Sequence, residues 1–315
     1  MRDWFEAHQV WIYFAAVAIA VIIGTTVPRT THLESWINPA LAIMLFVTFL
    51  QVPIAELGRA LMQLKFLTAL TITNFVLVPL LVWGLIQFLP NDPMIRLGVL
   101  IVLLTPCIDY VVTFAHLGKA DAKLLLASTP VLLIAQMILL PVYLGVFLGD
   151  KASSLIHMGP FIHAFVWLIA IPLALAVAVE LFSRRWPLVQ RFAGALGLLP
   201  VPATALVLFI VVIAVVPQLG LALQDTLTVV PVYITFALLA PMIGWVAGTV
   251  SNLDVPSRRA IAFSAGTRNS LVVLPFAFAV PGSMPLLPAI ILAQTIVELA
   301  SELLYMRLLP KLGRQ

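Results

Sequence analysis

Two short stretches decide how this sequence folds: Thr105-Pro106-Cys107-Ile108-Asp109 and Gly266-Thr267-Arg268-Asn269-Ser270. Each interrupts a long apolar run that otherwise suits a membrane-spanning helix. Pro106 removes a backbone donor and clashes with the preceding turn. Gly266 loosens the second run. Backbone groups freed at such points cannot face lipid, so they line a protein cavity or are satisfied by neighbouring helices. The ends of the half-helices carry partial charges that can meet a solute or an ion.

The surroundings of the two breaks set the class. The chain has 315 residues, 63% hydrophobic and 10% charged, whereas a soluble domain has roughly 45–50% apolar and about 25% charged residues. Disorder needs the opposite balance. The 23 prolines and 16 glycines lie within apolar runs, which excludes collagen and low-complexity linkers. A single cysteine excludes a disulfide framework and a multi-cysteine zinc site. With about 20 apolar residues needed per span, ten runs qualify: 10–28, 36–57, 66–90, 94–118, 122–149, 159–183, 199–219, 229–251, 256–280 and 287–309. They lack the period-two alternation of a membrane barrel. The first run is too long for a signal h-region and is expected to be a retained first span. The expectation is therefore an all-α polytopic membrane protein, with residues 1–315 as one membrane domain of ten transmembrane helices.

Lys and Arg give the orientation. Thirteen of the 17 fall on the side holding both ends and loops 2–3, 4–5, 6–7 and 8–9; Arg29, Arg96 and Lys151 face the other side, and Arg268 lies inside a span. By the positive-inside rule both termini are cytoplasmic, with the inner (plasma) membrane of the cell as the expected location. The net charge of +4 is thus a topology signal, and no nucleic-acid partner is expected, because that needs basic residues on a folded soluble face.

An internal echo accompanies the breaks. Leu133-Ile134-Ala135-Gln136-Met137-Ile138 of span 5 resembles Ile291-Leu292-Ala293-Gln294-Thr295-Ile296 of span 10, and spans 4 and 9 before them are both interrupted. Five spans is an odd number, so a second copy enters the membrane upside down. The expectation is two inverted five-helix repeats, 10–149 and 159–309, with broken helices 4 and 9 marking a binding site, as in secondary transporters.

Charged residues inside spans need partners or water. Asp109 and Arg268, one in each break, are expected to pair or share a hydrated site, either as a structural pair or as a functional one. Glu298 and Glu302 lie four apart on one face of span 10. Glu298 is the deeper and the better proton carrier, while Glu302 is placed near the cytoplasmic end, solvated or paired with Arg307. Cys107 reads either as a small apolar side chain or as a soft ligand. Asn269 and Ser270 can donate to and accept from a polar solute, and Gln136 and Gln294 read as interhelical glue. The five histidines, at 8, 32, 116, 157 and 163, have no metal-ligand spacing; no metal site and no cofactor are expected. Enzyme signatures such as His-Glu-x-x-His or Gly-x-Ser-x-Gly are absent. So is a phosphate-cradling glycine loop, which leaves direct ATP coupling to an ATPase partner.

The ten spans, the repeat and the two breaks resemble the bile acid:sodium symporter superfamily over nearly the whole chain. Thr105-Pro106-Cys107-Ile108-Asp109-Tyr110, Gly118-Lys119-Ala120-Asp121 and Val297-Glu298-Leu299 are most similar to its arsenical-resistance branch, the arsenite efflux permeases. The resemblance implies a panel of helices 1, 2, 6 and 7 and a core of helices 3–5 and 8–10 in which helices 4 and 9 cross. It also implies required roles for a Cys in span 4 and a Glu in span 10, here Cys107 and Glu298. Two departures stand out. Where sodium-coupled members carry an acidic residue and a Gln ahead of the span 9 Asn, this chain has Ser264 and Arg268, and their Ser-Asn pair after the span 4 break falls near Val111-Val112. No intact sodium site is expected. Arsenite permeases typically carry Asn-Asn-Phe-Glu in span 9, where Arg268-Asn269-Ser270-Leu271 keeps one Asn and loses the acid.

The resulting expectation is a secondary active transporter exporting arsenite, and antimonite with it, by proton antiport and alternating access. Arsenic in arsenite is thiophilic; several thiolates capture such an element tightly, and one thiol gives a contact that can be released. Cys107, Arg268, Asn269 and Ser270 would bind the substrate, and Glu298 and Asp109 would carry the proton. The alternative is an organic-anion carrier of the bile-acid type with Arg268 as carboxylate anchor, sodium-coupled or uncoupled.

Overall fold

The computed structural model describes residues 2–27, 30–51, 63–108, 110–149, 159, 162–163, 166–278, 280–283 and 285–313. Among these, the regular structure is helical: α1 (Arg2–Thr26), α2 (Glu34–Phe49), α3 (Leu64–Phe88), α4 (Pro93–Leu103), α5 (Val111–Leu117), α6 (Ala122–Leu148), α7 (Val166–Ser183), α8 (Pro187–Leu196), α9 (Pro200–Val215), α10 (Leu219–Val250), α11 (Val255–Gly266), α12 (Ser270–Phe278) and α13 (Leu286–Leu308). Six helices are long and apolar enough to cross a membrane, or seven if α8 and α9, bent by 46°, form one span. The protein is therefore a multi-pass, all-helical membrane protein.

The run at 94–118 divides into α4 and α5, and that at 256–280 into α11 and α12, each at the predicted break. The run at 36–57 is helical to Phe49, and its residues 52–57 lie outside the described residues. α10 starts at Leu219, ten residues ahead of the expected 229. The sequence reading had no counterpart for α8. This short helix buries none of its residues, and Leu188 and Phe192 are exposed on its apolar side.

Aspartates start the helices beside the breaks. Asp92 Oδ1 accepts from the backbone N–H groups of Met94 (2.8 Å) and Ile95 (3.0 Å), Asp121 Oδ1 from Leu124 (3.0 Å) and Asp254 Oδ1 from Ser257 (3.3 Å). Such caps satisfy donors that the first helical turn leaves open. Prolines inside helices are compensated in kind. Pro79 and Pro241 offer no N–H to the carbonyl four residues back; those carbonyls, Phe75 O and Ala237 O, accept instead from the hydroxyls of Tyr143 and Tyr305. Each of these bonds spans 68 residues. α3 also contains a π-helical turn over Thr73–Leu77, a feature frequent at functional positions.

The helices pack in two sets. α9 packs against α1 and α2, and α2 against α7, while α3, α4, α5, α6 and α10–α13 form the second set; they meet where α9 touches α13 and α2 touches α12. α10 and α11 approach closely because a side chain at Gly244 would stand 2.7 Å from Ile261 O, the close backbone contact that small residues permit in membranes.

Candidate functional site

The two breaks meet backbone to backbone. Pro106 and Arg268 stand opposite each other in an isolated antiparallel bridge. The Cys107 N–H donates to Thr267 O (3.1 Å) and the Asn269 N–H to Thr105 O (2.8 Å). In such a bridge the central pair exchanges no hydrogen bond, so the missing N–H of Pro106 costs nothing there. Thr105 Oγ1 donates within 2.9 Å of Ile101 O and Val102 O, and Thr267 Oγ1 donates to Phe263 O at 2.7 Å. The threonines thereby serve the last carbonyls of α4 and α11. The backbone groups freed by both breaks find partners inside the protein, as a lipid surround demands.

Arg268 is fully buried. Its Nη2 donates to Ser264 O (2.5 Å), Ala265 O (2.7 Å) and Asn74 Oδ1 (2.8 Å), and its Nη1 to Leu103 O (3.4 Å). The guanidinium thus sits where the C-terminal carbonyls of α4 and α11 converge, the negative ends of two half-helix dipoles, with the Phe236 ring centroid 5.4 Å from its Cζ. Asn74, on the π-helical turn of α3, is held by donation to Leu70 O (3.1 Å) and Ser264 Oγ (3.0 Å). Neither Asn74 nor this cage was singled out from sequence. A buried Asn on an apolar helix was the available signal. Asp109 lies outside the described residues.

Glu298 holds the second break from the other side. Its Oε1 accepts from the Tyr110 hydroxyl (2.5 Å), and its Oε2 from the Arg268 backbone N–H (2.7 Å) and the Gln294 amide. The carboxylate therefore ties α13 to both breaks at once. Gln294 is more than interhelical glue, since it donates to that carboxylate.

Glu302 corrects the sequence expectation. It is fully buried rather than solvated, and its partner is the Thr267 hydroxyl at the break rather than Arg307. The hydroxyl has one hydrogen and faces two oxygens, Phe263 O and Glu302 Oε1. Gly266 admits this approach of α13, since a Cβ there would lie 2.8 Å from the Tyr305 ring and 2.7 Å from Pro241.

Cys107, Asn269 and Ser270 are all buried at the seam. Ser270 Oγ accepts from Thr295 Oγ1 at 2.9 Å, and Asn269 Oδ1 receives the Val272 N–H at 3.4 Å. On α6, both amide atoms of Gln136 are buried with no partner among the described residues. At the breaks, Arg268 Nε, Asn269 Nδ2, Gln294 Oε1 and Glu302 Oε2 are in the same condition. Buried polar groups are ordinarily bonded, so this cluster is chemically equipped to receive a polar solute or a proton.

A comparison with curated proteins finds no match. Residues 38–225 match the Sodium Bile acid symporter family, more than half of the chain, from α2 through the first break and on into α10; with two paired breaks inside a multi-pass helical frame, the chain belongs to the Sodium Bile acid symporter family.

Proposed function

We propose that the protein is a secondary active carrier that exports arsenite, with antimonite as a second substrate, in exchange for protons. Membership of the family supports a membrane transporter rather than an enzyme. The observation that carries the finer reading is the paired break, where a buried thiol-bearing residue, an arginine, two small polar side chains and two buried glutamates converge. Cys107 meets the thiophilic arsenic, and Asn269 and Ser270 face its hydroxyls. Arg268 supplies positive charge, while Glu298, Glu302 and Asp109 are the acids available to exchange a proton.

Two inverted repeats underlie the reading. Equivalent devices recur 162 residues apart: the caps Asp92 and Asp254, the threonines Thr105 and Thr267, Pro79 with Pro241, and Tyr143 with Tyr305. Arg96 Nε and Arg258 Nε likewise each donate to a carbonyl of the loop ahead, Pro90 O and Leu253 O. Exchanging each residue for the one 162 away turns the Cys107–Thr267 bond into the Asn269–Thr105 bond. Ten spans in two such copies place both termini on the cytoplasmic side of the inner membrane, and the two helix sets serve as panel and core for alternating access.

The guanidinium already answers the carbonyls that a free cation would seek, which favours protons over sodium as the coupling ion. Arsenite flux in everted vesicles tests this, with proton and sodium gradients imposed separately. Proton-driven accumulation that fails in Cys107→Ser is the expected result; no movement under either gradient overturns the arsenite assignment. The second reading, an organic-anion carrier with Arg268 as anchor, is favoured by the family match. Uptake of a bile-acid anion, with no rescue of an arsenite-sensitive host, would select it.

A further inference from the structure

We propose that Gln136 is a second polar-solute contact, the counterpart in the first repeat of Glu298 in the second. The proposal rests on the transport and repeat readings above and assigns them a residue they do not use. The spacing of 162 residues that relates Asp92 to Asp254, Thr105 to Thr267 and Tyr143 to Tyr305 also relates Gln136 to Glu298, and Pro106 to Arg268. Glu298 bonds the backbone N–H of Arg268. At the equivalent place in the first repeat stands Pro106, which has no N–H to offer. The side chain that would grip the break is an amide, and the group it would grip does not exist.

The consequence is visible in its bonding. Gln136 is 1% exposed, and neither Nε2 nor Oε1 has a partner among the described residues. A buried amide left so costs about 1–3 kcal/mol per unmet group, and interhelical glue would by definition have its groups bonded. Asn269 stands in the same condition: it is 1% exposed, its Nδ2 is unpartnered, and its backbone N–H is already bonded across the seam to Thr105 O. The amides of Gln136 on α6 and Asn269 at the second break leave two NH2 groups and one carbonyl unpartnered, and the repeat relation, which sets Gln136 against Pro106 as Glu298 is set against Arg268, is what brings them to one seam. That set matches a small uncharged solute whose hydroxyls both donate and accept, such as the trihydroxy form of arsenite. A carboxylate, which only accepts, would leave the Gln136 carbonyl unmet.

Gln136→Met tests the assignment, because it keeps the side chain's length and removes both polar atoms. Thermal unfolding of the purified protein in detergent comes first. The variant is expected to be as stable as the wild type or more so, since it deletes unpaired groups; a lower melting temperature would show a structural partner and overturn the proposal. The upward shift in melting temperature on adding sodium arsenite is then compared. The wild type should shift and Gln136→Met should lose at least tenfold in apparent affinity, with Gln136→Asn intermediate. A wild-type shift that Gln136→Met retains in full overturns the role of Gln136 and leaves the transport reading standing. No shift in the wild type with arsenite, but one with taurocholate, overturns the arsenite reading and this inference together.

Discussion

The two breaks share one backbone device and differ in what holds it. The first is set covalently, since Pro106 has no N–H to offer and its neighbours Leu104, Cys107 and Ile108 are buried; the polar side chains that reach it are Thr105 on the last carbonyls of α4, Arg268 on Leu103 O and Tyr110 on Glu298. The second is made by side chains, with the Arg268 guanidinium on four acceptor oxygens and the Glu298 carboxylate on the backbone N–H. A proline break keeps its shape through any change of partner. A break clasped by a carboxylate and a guanidinium can be released when either loses its partner.

Substitutions test this contrast in order of their effect on stability. Arg268→Ala should be the most damaging, by at least about 3 kcal/mol, because several buried acceptors lose their donor at about 1–3 kcal/mol each. Thermal unfolding in detergent measures it, and a near-neutral result would break the contrast. Glu298→Gln should cost about 2 kcal/mol, since an NH2 group then faces a donor that needs an acceptor. The same variant should stop proton-driven flux, and normal flux would remove Glu298 from the coupling path. Tyr143→Phe and Tyr305→Phe should each cost about 1 kcal/mol and be alike, because each frees one carbonyl behind a helix proline; clearly unequal costs would undo the spacing of 162 residues. Cys107→Ser should change stability least, within about 1 kcal/mol, while sharply reducing arsenite transport.

Much of the site was legible before any coordinate. Helix α13 carries Glu298 and Glu302 on one face, both breaks fall where Pro106 and Gly266 announced them, and Cys107, Arg268, Asn269 and Ser270 all lie at the seam. The repeat proposed above takes a register one helical turn away from the one the six-mers suggest. The matching six-mers at 133–138 and 291–296 stand 158 residues apart, against 162 for the caps, threonines and tyrosines. Apolar six-mers recur freely in lipid, where one branched side chain replaces another at little cost. A capping Asp or a proline-compensating Tyr is bound to one position by its hydrogen bond. Glu302 was misplaced for a related reason: counting along a span gives depth in the bilayer, whereas burial depends on what packs over the residue, here the second break with its Thr267 hydroxyl.

By itself the sequence determined that the chain lies in a membrane as a set of helices, which two of them break, and which residues stand at the breaks. Those properties follow from apolar run length, from proline and glycine, and from the rarity of charge in hydrocarbon. Only the tertiary structure decided who meets whom. That Arg268 caps two helix ends, that Glu298 grips a backbone N–H and that Gln136 grips nothing depend on helices far apart in the chain arriving at one point. A lipid-facing pattern is written along each helix, while a hydrogen bond needs two of them.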